Sequence, residues 1–330
     1  MKKIFPLWAV AAMLLLTACY HDQHELQPNE YDGKPVGYLT PLLLWDDPAD
    51  AGTTTTIDDI RFTVSGTGST TVANRFNNTE AAADWLQQLP VGEYDLLVTA
   101  DMDEAHGYVL ENVGADTRST TRADEEFHTA LPDTRVSLAE PSSSPAQAWY
   151  AVTHATVKED EITVAEFRLQ RLLSELSVIV HNVPTGAAIT ASVERVARDV
   201  LLTHRDGQGR YGVADREDFL TVSLGALAAD PADAATLRHD DHTLMPTAGG
   251  QERCYLTLNV TTPDGTPLTY LADAPRMEFG KAYVVELDYA KLRPYMLLEA
   301  FTINDWTEGW TISGEITDPT PSPSPVMGGE

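Results

Sequence analysis

The sequence predicts an all-β protein of two tandem β-sandwich domains with minor helix. Three observations carry that expectation. Short apolar runs recur from residue 36 to residue 303, turn residues break them at intervals, and one good helix interrupts them. Period-2 alternation is clearest in Ile60/Phe62/Val64 and Tyr94/Leu96/Val98, as sheets with one buried face require.

The chain opens with Lys2 and Lys3, an apolar core from Leu7 to Leu16, and then Leu16-Thr17-Ala18-Cys19. That order is a secretory signal ending in a lipobox. The apolar run is too short to span a hydrocarbon layer of about 30 Å as a permanent helix. It predicts cleavage before Cys19 and acylation of that residue, palmitate being the expected type of chain. Several chains on one residue give stable anchoring where one does not. Residues 1–18 are thus a signal peptide. Residues 19–35, polar and carrying Pro28, Asp32-Gly33 and Pro35, are a flexible tether.

The first domain is expected over residues 36–160. Its strands are Leu39 to Trp45, Ile60 to Val64, Tyr94 to Thr99, Tyr108 to Val113, Arg135 to Leu138 and Trp149 to Val157. The helix runs from Glu80 to Gln88, opened by Asn78 or Thr79 and closed by Pro90. Residues 114–134 are polar and unpatterned and read as an exposed loop. The texture changes near residue 160, and the second domain is expected over residues 161–316. A long β run goes from Ile162 to Val183, followed by Ile189 to Val193, Phe219 to Leu224, Tyr255 to Val260, Leu268 to Leu271, Tyr283 to Leu287 and Leu297 to Ile303. Asp264-Gly265 signals a hairpin, and Asp206-Gly207-Gln208-Gly209 another turn. The Ala/Asp-rich stretch 225–243 suggests helical turns or a surface loop. Residues 317–330 form a Pro/Ser-rich tail without core-forming capacity.

The chain has 330 residues and carries Lys+Arg 22 against Asp+Glu 50. Without Lys2 and Lys3 the net charge is near −30, which repels phosphate backbones and excludes nucleic acid as a natural partner. With 43% hydrophobic residues the chain still builds cores, so the acidity is a solvated surface. Cys19 and Cys254 are its two cysteines. If Cys19 is acylated no internal disulfide forms, and Cys254 reads as a buried strand thiol.

Several clusters have residue types that could carry chemistry. His239-Asp240-Asp241-His242 has the residue types for a divalent ion, but adjacent residues converge on one ion only when the loop folds back, and a polar loop is the expectation. His21, Asp22, His24 and Glu25 repeat that chemistry in the tether. Asp101-Met102-Asp103-Glu104 offers hard oxygens without the glycine and distal glutamate of a calcium loop. Ser142-Ser143-Ser144 reads as a spacer. Arg171 has two readings, a buried ion pair with Glu175 or an edge position in water. Trp306 and Trp310, with Asn304 and Asp305, suit either core packing or stacking on a sugar. No nucleophile elbow, phosphate loop or dinucleotide fingerprint is present. The expectation is a binding protein and no enzyme, with no catalytic residues, no cofactor and no metal site.

Three segments, taken with the lipobox, resemble fimbrial anchor and accessory lipoproteins of Bacteroidales, the FimB/Mfa2 type, within a fimbrillin-like superfamily. They are Leu89-Pro90-Val91-Gly92-Glu93-Tyr94-Asp95-Leu96-Leu97, the run Phe167 to Val180 with its Arg168 and Arg171, and Phe301-Thr302-Ile303-Asn304-Asp305-Trp306. The resemblance implies transthyretin-like sandwiches, display at the cell surface on an outer-membrane lipid anchor, and assembly with other fimbrial subunits by strand addition. Stalk subunits of that superfamily lose their N-terminal segment by cleavage after an arginine. Here the first arginine after Cys19 is Arg61, inside an expected strand, so a retained lipid and an anchor or accessory role fit better. Thr311 to Ile316 is either a donor strand or the last sandwich strand, the second being preferred. The alternative function is a surface glycan-binding lipoprotein of a polysaccharide-utilisation system.

Overall fold

The structure is a computed structural model. It describes residues 31, 33–47, 57–66, 71–113, 131–214 and 218–292, and the strand backbones at 298–299, 302–305 and 308–310. Cys19, most of the tether, most of the 114–134 loop, Trp306, the Thr311–Ile316 segment and the Pro/Ser tail lie outside the described residues, as do the side chains of Asn304, Asp305 and Trp310.

In chain order the first half gives β1 (Val36–Trp45), β2 (Ile60–Gly66), β3 (Thr71–Phe76), helix α1 (Thr79–Ala83), β4 (Gln87–Pro90) and β5 (Gly92–Ala100). These are followed by β6 (Tyr108–Val113), β7 (Asp133–Leu138), β8 (Trp149–Val157) and β9 (Ile162–Arg171). The second half continues with β10 (Ser174–His181), β11 (Ala188–Ala197), β12 (Asp199–Arg205), β13 (Tyr211–Ala214), β14 (Phe219–Ala226), β15 (Ala228–Asp230) and β16 (Asp233–Leu244). It ends with β17 (Cys254–Thr261), β18 (Pro267–Ala274), β19 (Ala282–Asp288), β20 (Leu298–Glu299), β21 (Thr302–Asp305) and β22 (Glu308–Trp310).

The fold is all-β and consists of tandem β-sandwiches. In the first, a seven-stranded sheet of order β3-β2-β5-β8-β9-β1-β4 folds on itself. Its two layers join only where Trp149 and Tyr150 pair with Arg171 and Gln170. Inward residues of both layers meet in one core, with Phe62 and Phe167 edge to face at 5.4 Å and Leu39, Leu96 and Val98 fully buried. Such aromatic pairs add about 0.5–1.5 kcal/mol to the burial they bring. The second sandwich sets β15-β16-β10-β19-β21-β22 against β14-β11-β17-β18-β20.

Between them lies a four-stranded sheet, β13-β12-β7-β6, that draws one hairpin from each half of the chain. It packs on the outer face of β5 and β8, so that layer is buried on both sides. Tyr150 is fully buried there and donates from its hydroxyl to the carbonyl of Tyr211 at 3.0 Å. Gly212, at φ +94°, permits that approach, because a Cβ would stand 2.0 Å from the Tyr150 oxygen. This junction sheet has a consequence for the domain layout. The turn near residue 160 carries the chain from β8 in one layer of the first sandwich to β9 in the other, and the chain leaves that sandwich only after Arg171. Composition changes at residue 160, but sheet membership follows the pairing of β9 with β1.

Other departures have local causes. The helix ends at Ala83 and not at Gln88, because Gln87–Pro90 pair with Val36–Leu39 and bury Leu89. A helix this short has little stability of its own, and the ladder wins. Residues 225–243 are not helical: they end β14 and form β15 and most of β16, held by pairing with β10. The run Ile162 to Val183 is two strands that separate at Leu172-Leu173, where the chain changes sandwiches. The expected strand at 297–303 is divided between β20 and β21.

Candidate functional site

The feature best suited to a partner is one edge of the first sandwich. Strand β1 pairs with β9 along Tyr38 to Trp45, but with β4 only along Val36 to Leu39. The N–H groups of Tyr38 and Asp46 donate to Glu161 and Leu169 on the β9 side. Backbone groups alternate sides along a strand, so those of Pro41, Leu43 and Trp45 face the other way, where β4 has ended. Among the described residues no strand pairs with them there. Helix α1 lies beside this stretch, and a helix uses its backbone groups internally. Pro41, which has no N–H, takes one of the three positions, as edge strands commonly allow. The outer face beside this edge mixes apolar and charged groups: Leu42, Ile162 and Val164 are 42%, 43% and 56% exposed, and Glu166 and Arg168 stand opposite Leu42 and Leu44. Strands β1 and β9 bring them together by pairing Tyr38 with Ile162 and Thr40 with Val164.

The matching side of the second sandwich is closed. Strands β14 and β16 are neighbours at that side, and residues 140–145 cross both. Ser142 Oγ accepts from the Ser223 N–H at 3.3 Å, and Ser144 Oγ accepts from the Thr243 N–H at 2.9 Å. Thr243 in turn donates from its hydroxyl to the Pro145 carbonyl at 2.6 Å. The serine run is therefore a strap that satisfies edge donors, and not a spacer.

The polar clusters fall into distinct places. His239 and His242 straddle an irregularity of β16, where Asp241 takes φ +52°. Their rings approach to 3.1 Å between Nε2 and Nδ1, and Ser177 Oγ bonds both the backbone and the carboxylate of Asp241. Burial, and the neighbouring His239, push the His242 imidazole down to about 4. The loop expected here is thus a strand in which four polar residues point to two faces. On the outer face Glu175 is pushed up to about 7 by burial and by hydrogen bonding to Asp241, with Arg171 opposing. Arg171 is buried, and the edge position in water does not hold. Cys254 is fully buried beside Thr247 at 3.0 Å, and burial pushes its thiol up to about 11.

Asp101 and Asp103 belong to an ion network that sequence reading assembled only in part. Asp101, at φ +49°, accepts the N–H groups of Asp58 and Asp59, while Arg61 and Arg75 bridge Asp59 and Asp103. His106 joins the same group through Asp103 and Asp58. Burial alone would lower its imidazole, but the Asp103 hydrogen bond and the surrounding carboxylates hold it above its ordinary range.

The profile of the family described as fimbrillin-A associated anchor proteins Mfa1 and Mfa2 matches residues 53–310. The chain belongs to this family. Its fold is shared by a Bacteroides thetaiotaomicron protein provisionally described as polysaccharide-binding, at 12% identity and TM-score 0.50, over 85% of this chain and 100% of that one. The fimbrial anchor protein Mfa2 of Porphyromonas gingivalis aligns at 14% identity and TM-score 0.47, over 84% of this chain and 99% of that one. A second B. thetaiotaomicron protein, provisionally described as an adhesin, aligns at 11% identity and TM-score 0.49, over 84% and 98%. No curated protein matches by sequence.

Proposed function

We propose that this Mfa2-family chain is a cell-surface anchor or accessory subunit of a fimbria-like assembly. Acyl chains on Cys19 hold it in the outer membrane, and a strand of a neighbouring subunit adds to the Thr40–Trp45 edge of β1. The observation that carries this reading is the ladder that stops at Leu39 while β1 runs on to Trp45. An added strand would meet the Leu43 and Trp45 backbone groups, which no strand pairs among the described residues, for affinity, and Leu42 with Glu166 and Arg168 on the outer face for specificity. Family membership supports the fimbrial setting. The protein acts by binding and not by catalysis. A pull-down of the lipidated protein from intact cells, read by mass spectrometry, tests this. Other fimbrial subunits in stoichiometric amount are expected, and recovery of the monomer alone, or with an outer-membrane porin, overturns it.

One observation favours glycan capture as the second reading. A cavity of about 290 Å³ opens where the junction sheet meets both sandwiches, lined by Gln170, Asp206, Arg210, Tyr211, Glu278 and Phe279 among others. Polar groups around aromatic rings at a domain junction suit a sugar. Binding on a glycan array that is lost in Phe279→Ala would establish it, and a blank array would remove it.

A further inference from the structure

The network at the start of β2 contains a second kind of site. Asp58, Asp101 and His106 each offer one ligating atom, all within 4.8 Å of one another. His106 Nε2 lies 3.2 Å from Asp58 Oδ1 and 3.9 Å from Asp101 Oδ1. Three ligands at zinc bond lengths stand about 3.3–3.6 Å apart in a tetrahedral shell, so a small closure suffices. Asp58, with 68% of its side chain exposed, has the freedom to make it.

We propose that Asp58, Asp101 and His106 bind one divalent transition-metal ion, with solvent completing the shell. Three features beyond proximity support it. His106 Nδ1 is held by Asp103 Oδ1 at 2.7 Å, which leaves Nε2 aimed at the two carboxylates, the orientation that ligating histidines take from an outer carboxylate. Arg61 and Arg75 occupy Asp59 and Asp103, which keeps those two carboxylates out of the shell. The group then holds four carboxylates against two guanidiniums, a surplus of two negative charges that a dication cancels. One nitrogen with two monodentate oxygens suits Zn²⁺ or Co²⁺, whereas Ca²⁺ wants six to eight oxygens. The ion would tie the start of β2 and the end of β5 to the turn that leads into β6. That is where the chain passes from the first sandwich to the junction sheet.

Calorimetric titration of the full chain with Zn²⁺, repeated with Co²⁺ in visible absorption, tests the site. The full chain also carries His21, His24, His239 and His242, so the variants decide. His106→Ala is expected to remove one equivalent of Zn²⁺ together with the four- or five-coordinate Co²⁺ spectrum. Asp58→Asn, at an exposed position that leaves folding intact, is expected to weaken that equivalent by about tenfold or more. Zn²⁺ stoichiometry and affinity unchanged in Asp58→Asn and His106→Ala would overturn the proposal, as would no Zn²⁺ uptake by the parent chain. Should His106→Ala fail to fold, Asp58→Asn alone decides. Strand addition at β1 does not enter this test, and either reading can fail without the other.

Discussion

The two sandwiches treat their open sides differently. In the second, β14 and β16 are crossed by a strap whose serine hydroxyls take up edge N–H groups. In the first, β1 continues six residues past its last pairing with β4, beside an outer face where Leu42 and Val164 stand with Glu166 and Arg168. A long apolar edge is a standing invitation to pair, and natural sheets usually cover or charge theirs. Among the described residues no strand takes up the β1 groups beyond Leu39, with the short helix α1 beside that strand, and the proposed subunit contact rests on this difference.

The largest expected effect comes from removing the support of the bare edge. Phe62→Ala deletes the ring that packs on Phe167 between the layers, and calorimetry should show a loss of about 3–5 kcal/mol. Subunit binding should fall with it. A smaller loss would mean that the layers are held mainly by the junction sheet. Next, Ser142→Ala with Ser144→Ala should cost about 1–3 kcal/mol for two hydrogen bonds. It should also turn the covered side into a pairing edge, seen as concentration-dependent self-association in sedimentation. An unchanged monomer would show that the strap does not guard that side.

The covered side also carries a pH signature. Glu175, paired in register with Thr243, has a folded value of about 7 against an ordinary 4.5. A raised carboxyl contributes stability at low pH and loses it as pH rises from 4.5 through 7. Glu175→Gln should therefore raise stability at pH 8 by about 1 kcal/mol, after allowance for solvent screening, and change little near pH 5. Equal melting shifts at both pH values would contradict the raised Glu175 carboxyl. The smallest effect on folding is expected at the bare side itself. Leu42→Lys, at an exposed position, should move stability by no more than about 0.5 kcal/mol. It should nevertheless weaken subunit binding by about tenfold, since a charged edge discourages pairing.

Strand β2 was legible in the sequence because Ile60, Phe62 and Val64 alternate into the core, and β5 showed the same period in Tyr94, Leu96 and Val98 although the junction sheet buries its other face too. Strand β16 was not, since its buried residues include only Thr236, His242 and Leu244 among twelve. Its strand character comes from pairing with β10, which no local pattern encodes. The bare edge was hidden for a related reason: Leu39 to Trp45 reads alike whether one or both sides are paired. The strap spans 81 and 99 residues in its two serine contacts, so its serines looked like a linker. Asp101 and Asp103 were picked out as oxygen donors, but Asp58 and His106 join them only through the fold.

Amide hydrogen exchange tests the central claim most directly. It would be measured on the isolated protein and on the assembly recovered from intact cells. The account predicts that Leu43 and Trp45 exchange freely alone and become strongly protected in the assembly, while Ser223 and Thr243 are unchanged. Protection that appears at Ser223 and Thr243, or none gained at Leu43 and Trp45, would contradict it.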